Sequence, residues 1–229
     1  MLFGDRKNRA TEGPHLSPGE APRHRWRLML LCAALMQFGL SAAMASTVRA
    51  VSLDEMLAAA ELVFEGRVIA ERTHRGIHKH DIYTEVTFEV IDVIKGRYPG
   101  EVIVLPFSGG TLGGETVMVT DLNRPSLGQR GIYFVESLHR RQVHPFYGWD
   151  QGLLLIERDL QSGEDKLKTH DRQGIYGVTV QQALENESTG LSSGTAMGLR
   201  LRPGAEDERP MTPERFKATL RNILHGMDP

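Results

Sequence analysis

Apolar and polar positions alternate most clearly between Ile82 and Ile94. Val86, Phe88 and Val90 mark one face, and Glu85, Thr87 and Glu89 the other. A period of two predicts a strand with one buried face. Leu62–Arg72 reads as an earlier strand, with Gly66 marking a bulge or a close approach. Shorter apolar runs predict further strands at Val102–Leu105, Thr116–Val119 and Gly131–Val135. The β pattern continues through Phe146–Ile156 and Lys166–Thr169. Glycine- and asparagine-bearing turns punctuate them at Lys95–Gly100, Ser108–Gly114, Asn123–Gly128 and Gln161–Glu164.

Two helices flank this array. Ser52-Leu53-Asp54-Glu55 has the S-x-x-E form of a capping box and opens a short alanine-rich helix through Glu61. Thr212-Pro213 opens a terminal helix, with Phe216, Leu220, Ile223 and Leu224 as its apolar stripe. A second capping box, Thr179–Gln182, predicts another short helix. Residues 187–211 are rich in Gly, Ser, Pro and charge and read as a flexible linker. Short strands joined by glycine turns predict a mainly β fold, a small OB-like antiparallel β-barrel with a short N-terminal-side helix and a C-terminal helix. The expected division is a signal segment over 1–45, a β domain over 46–186, the linker, and the helix over 212–229.

The first 45 residues change the picture. Arg23, Arg25 and Arg27 precede an apolar run from Leu28 to Leu40, and Ala43-Met44-Ala45 follows. Basic flank, short apolar core and A-x-A exit predict an export signal cleaved after Ala45. The run is shorter than the roughly 20 residues that span a bilayer. The expected mature chain therefore starts at Ser46, is periplasmic or secreted, and has no stable membrane insertion. Its 21 basic and 26 acidic residues give a net charge of −5, which does not predict a nucleic-acid binder. The only cysteine, Cys32, precedes Ser46. Disulfides, thiolate metal sites and cysteine nucleophiles are thus excluded from the mature chain.

Several local motifs occur in a fixed order: Ala60-Glu61-Leu62-Val63, Val90 to Gly96, Gly109 to Gly114, Gly131 to Phe134 and Gly148 to Gly152. Over roughly residues 52 to 157 this order resembles a group of exported bacterial proteins. That group in turn looks like the netrin-like modules of tissue inhibitors of metalloproteinases, which are OB-type barrels. The resemblance implies a non-catalytic module that binds an exported protein, in its sharper form a metalloprotease. In those inhibitors a disulfide-bonded N-terminal cysteine chelates the protease zinc. Here Ser46 and Thr47 would stand in that place, without a disulfide.

Candidate chemistry lies in four places. The loop Ser108–Gly114 offers Gly109, Gly110, Gly113 and Gly114 either as a nest of N–H groups for an anion or peptide, or as positive-φ residues of a hairpin. It lacks the Lys-Ser/Thr ending of a P-loop. His74, His78 and His80, beside Asp81, have side chains suited to zinc or copper, or are a solvated loop tip. His139, Arg140, Arg141 and His144 form a basic turn that either guards a sheet edge or contacts an acidic partner. Tyr147, Trp149 and Gln151 alternate, so a strand would place them on one face, as an aromatic binding strip or as core. Glu85, Glu89 and Glu101 read as the wet face of strands.

The expectation is an exported, non-catalytic binding module with no cofactor. Its contact residues are Ser46, Thr47, Gly109, Gly110, Gly113, Gly114, Tyr147 and Trp149. The alternative is an exported metal-dependent hydrolase using the His74/His78/His80 cluster. A third class is an envelope protein anchored by an uncleaved Leu28–Leu40.

Overall fold

The computed structural model describes residues 48–78, 81–179 and 192–227. The expected signal segment, Ser46, Thr47, His80 and most of the second capping box lie outside the described residues. Helix α1 (Leu53–Ala59) leads into strands β1 (Leu62–Arg75), β2 (Ile82–Lys95) and β3 (Val102–Ser108). A small hairpin follows, β4 (Gly110–Leu112) and β5 (Glu115–Val117). Then come β6 (Arg130–Val135), a 3-10 turn (Trp149–Gly152), β7 (Leu153–Arg158) and β8 (Asp165–Lys168). The pair β9 (Gly177–Val178) and β10 (Leu199–Arg200) precedes the terminal helix α2 (Pro213–Met227). The fold is mainly β, with a six-stranded antiparallel sheet in the order β3-β2-β1-β6-β7-β8.

Alternation along the strands builds two cores. Val63, Ile132, Phe134, Leu154 and Ile156 face one side, where Leu53, Met56 and Leu57 of α1 and Phe216 and Leu220 of α2 cover them. Leu62, Phe64, Tyr133, Val135, Leu153 and Leu155 face the other side and join Phe88, Ile103, Leu105, Phe107 and Phe146. Each fully buried Leu or Phe contributes about 1.5–3 kcal/mol to stability. The second core is aromatic: Tyr133 stacks on Phe146 at 5.2 Å, and Phe88 meets Tyr133 edge-on at 4.8 Å.

Three register shifts interrupt the β1–β2 ladder, at Val63/Phe64, Glu65/Gly66 and Val68/Ala70. Bulges bend a strand pair and increase its twist, and here they curl the sheet around the aromatic core. Gly66 sits at one of them because an added Cβ would lie 2.6 Å from the Phe64 ring and 2.8 Å from the Glu89 carbonyl oxygen.

The sheet does not close into the expected barrel. Its outer strands, β3 and β8, are not hydrogen-bonded neighbours. Phe146 bridges Val135 and packs in the aromatic core. The edge at β8 is covered: Leu167 N–H donates to Met211 O at 2.8 Å, and Ile175 N–H to Leu167 O at 3.0 Å. Residues 146–156 are also not one continuous strand. Phe146 bridges Val135, Gly148 turns left-handed, and only Leu153 resumes the ladder.

Both helix starts follow their sequence signals. Ser52 Oγ accepts the Glu55 N–H at 3.0 Å, and Thr212 Oγ1 accepts the Arg215 N–H at 3.4 Å. The Glu55 carboxylate does not complete the box; it pairs with Arg49 and accepts the Tyr147 hydroxyl at 3.0 Å. At the other end of α1, Lys95 Nζ caps the carbonyls of Ala58 and Ala60 at 2.8 and 2.6 Å. Within the expected linker, residues 192–211 carry ordered contacts. Ser192 N–H donates to Val48 O, Met197 bridges Ser52, and Ala196 and Met211 are buried.

Candidate functional site

Strand β3 is an edge, and its hydrogen-bond phase can be read from its two ends. Val90 N–H donates to Glu101 O at 2.8 Å, and Gly109 N–H to Ile82 O at 2.7 Å. In an antiparallel ladder bonded and non-bonded pairs alternate. The odd-numbered residues 101–109 therefore bond to β2, and residues 102, 104, 106 and 108 turn their backbone groups outward. Ser108 N–H is taken by Val143 O at 3.0 Å, and Val102 O by the Tyr98 hydroxyl at 2.7 Å. Pro106 has no N–H to offer. Val104 is left as the residue of β3 with both its N–H and its C=O facing outward and unclaimed among the described residues. Its side chain, like that of Val102, is nearly half exposed.

A groove of about 660 Å³ runs along this edge, between β3 and residues 137–145. Ile103 and Leu105 form its floor, and Tyr98 and Leu138 add apolar walls. Three guanidiniums reach it, from Arg97, Arg140 and Arg141, against the carboxylates of Glu61 and Glu85. Both carboxylates are engaged. Glu61 accepts Leu138 N–H at 2.9 Å and the Ser137 hydroxyl at 3.0 Å, and Glu85 lies 3.0 Å from His74 Nε2. The Leu138 N–H and the Ser137 hydroxyl hold the Glu61 pKa below its ordinary value, against a smaller opposing effect of burial. Arg141 pairs with Asp81 at 3.2 Å and lies 4.5 Å over the Tyr83 ring. Arg97 has no ion pair among the described residues. Gln142, also in the wall, holds its Oε1 shut off from solvent with no donor among the described residues.

The basic turn thus divides. Arg140 and Arg141 face the groove, while His144 turns inward. His144 is 2% exposed, with Nε2 3.1 Å from Asn123 O and Nδ1 accepting the Phe146 N–H at 3.2 Å. This bonding places the proton on Nε2. Burial lowers its pKa to about 4, so the ring is neutral.

The glycines separate into two roles. Gly113 and Gly114, with φ of +59° and +83° and open space around them, turn the β4–β5 hairpin. Gly109 and Gly110 pack tightly: an added Cβ would meet Val117 O at 2.7 Å and Thr84 Oγ1 at 2.5 Å, respectively. Tyr147 and Trp149 do not share a strand face. Tyr147 packs beside the helix-covered core and bonds Glu55, whereas Trp149 has φ +60° and stacks on His144 at 5.6 Å. Buried Gln151 ties the N-terminal segment down. It accepts Val51 N–H at 2.9 Å and donates to Arg49 O and Gly148 O at 3.0 Å.

His74 lies in β1, stacked on Tyr83 at 5.5 Å and beside Glu85. Among the described residues no group of three His, Asp or Glu side chains could hold a metal ion. A second hollow, about 590 Å³, contains Arg67, Arg124, Arg130 and Arg172, each already paired with a carboxylate. At its margin His170 Nε2 lies 3.5 Å from Asp150 Oδ2, which also accepts Asn123 Nδ2 at 2.6 Å. Burial raises the Asp150 pKa. No hydroxyl is hydrogen-bonded to His170 among the described residues.

The β3 edge escaped the sequence reading, because strand order is not written in a local pattern. The basic turn 139–144 was the one signal pointing to it. No helix among the described residues is long and apolar enough to cross a membrane. Comparison with family models, with curated proteins and with solved structures gave no match.

Proposed function

We propose that this chain is an exported, non-catalytic module that binds a protein partner. The observation that carries the reading is the unclaimed β3 edge at Val104 above the groove. An exposed, unpaired edge is a hazard that folds normally cover. Among the described residues β8 is covered and β3 is left open at Val104, beside basic side chains. The export part rests on the segment ending at Ala45. In its sharper form the partner is a metalloprotease and the Ser46 amine and carbonyl approach the zinc, as the netrin-like resemblance implies. Ser46 stands two residues before Val48, whose carbonyl is tethered to Ser192.

Affinity capture with the exported protein, from native envelope and culture fluid, tests the reading. One stoichiometric exported protein is the expected result; no specific protein would sink it. Inhibition unchanged by extending the N-terminus would remove the zinc-directed form alone.

A further inference from the structure

We propose that the partner's contact segment is an extended, acidic stretch of chain that adds to β3 as a seventh strand, its backbone paired with Val104. This rests on the binding-module reading and names the partner's chemistry and its mode of attachment.

Three independent features converge on it. The first is the phase of the ladder. Val104 directs both an N–H and a C=O into the groove, the arrangement that an added antiparallel strand pairs with directly. Its neighbours fix the limits of the addition, since Val143 takes Ser108 N–H and Tyr98 takes Val102 O. The open stretch is therefore centred on one residue, and the register is set by the protein. Main-chain bonds supply affinity in this mode, and alternate side chains supply specificity.

The second feature is the floor. Alternate residues of an added strand would lie over Ile103 and Leu105, which already point toward the aromatic core. Apolar side chains there extend a buried face. The remaining alternate residues point outward with Val102 and Val104.

The third is charge. Glu61 accepts the Leu138 N–H and Glu85 lies beside His74; Arg140 pairs with Glu136 at 3.2 Å yet stays largely exposed, and Arg97 has no ion pair among the described residues. Asp or Glu on the outward positions complements them, and Lys or Arg would not.

The test uses displayed random peptides about ten residues long, enough to cover a seven-residue strand. They are selected against the exported protein, and the recovered sequences are synthesised. The account expects apolar residues alternating with Asp or Glu. N-methylation of the peptide nitrogen that faces the Val104 carbonyl should weaken binding about fivefold, by removing one backbone hydrogen bond. Val104→Pro should weaken it similarly; proline is tolerated at an edge where the N–H faces out. The N-methylated peptide keeps the test valid if that variant does not fold. Selection of basic or helical peptides, or binding indifferent to N-methylation, would overturn the proposal. Recovery of no peptide while whole-protein capture succeeds overturns strand addition and leaves the binding reading standing. Failure of both removes both.

Discussion

Lys217 Nζ donates to Glu65 Oε2 at 2.6 Å, joining the terminal helix to the first half of β1 across 152 positions of sequence. Glu65 is fully buried, and its other oxygen accepts Arg130 Nε at 2.7 Å. The chain of charges continues at both ends. Arg130 reaches Asp165 at 2.6 Å, Lys217 reaches Asp92 at 3.0 Å, and Arg221 reaches Asp92 at 2.8 Å. Burial disfavours the Lys217 charge, but its bonds to Glu65 and Asp92 prevail and raise its pKa. This network fixes α2 against the sheet at a definite position, beside the apolar contacts of Phe216 and Leu220.

Lys217→Met should therefore destabilise the protein by about 3 kcal/mol, because it removes one partner of a buried pair and leaves Glu65 undercompensated. Urea unfolding at neutral pH reads this directly. A change under about 1 kcal/mol would mean that Arg130 alone satisfies Glu65.

His144 predicts a pH dependence. Its folded pKa of about 4 lies below the unfolded value near 6.5. The unfolded state thus binds the proton first, and stability falls as pH drops through that window. Between pH 7 and pH 5 the loss should be about 2 kcal/mol. Asp92 acts lower: burial alone would raise its pKa, but Arg221 and Lys217 hold it down. Its contribution is present above the unfolded aspartate pKa of about 4 and is lost as pH falls through its depressed value. Wild type and His144→Gln should differ in slope from pH 7 to 5; parallel slopes would contradict the buried neutral ring.

Gln151→Ala removes the two bonds by which this side chain holds residues 49–51, to Val51 N–H and Arg49 O. Leaving Val51 N–H buried and unpaired costs roughly 2 kcal/mol. Amide exchange at Val51 should accelerate more than exchange in β6 or β7. Unchanged protection at Val51 would mean that pairing with Met197 suffices to hold the segment.

The glycine loop yields a paired prediction. Gly110→Ala should cost at least about 2 kcal/mol, since its φ is +139° and Thr84 and Thr73 stand where the methyl would go. Gly113→Asn should be nearly neutral, because the turn is open to solvent and asparagine accepts left-handed φ. Thermal midpoints of the two variants measure this. Equal effects would contradict the division between packed and turning glycines.

Much of the fold was legible in local chemistry. Val86 and Phe88 announced their strand by alternation, and Ser52 and Thr212 announced their helices by capping. Long-range relations were not legible. Nothing in Glu65 signals that it would be buried beneath a lysine of the terminal helix. Gly148 and Trp149 broke an apolar run that reads as a strand, because a left-handed turn leaves few marks on periodicity. The closed barrel is not formed for the same reason: β8 found its cover in Met211 and Ile175, outside the strand's own ladder, and β3 found none at Val104 among the described residues. The candidate site is that uncovered edge, visible in the sequence only through Arg140 and Arg141.

The most direct test compares capture by the wild-type protein and by Val104→Pro, from the same envelope and culture fluid, with both proteins shown to unfold at the same temperature. The account predicts one stoichiometric exported protein on the wild type and its loss from the variant. Equal recovery on both would contradict docking at the β3 edge, and recovery on neither would contradict the binding module itself.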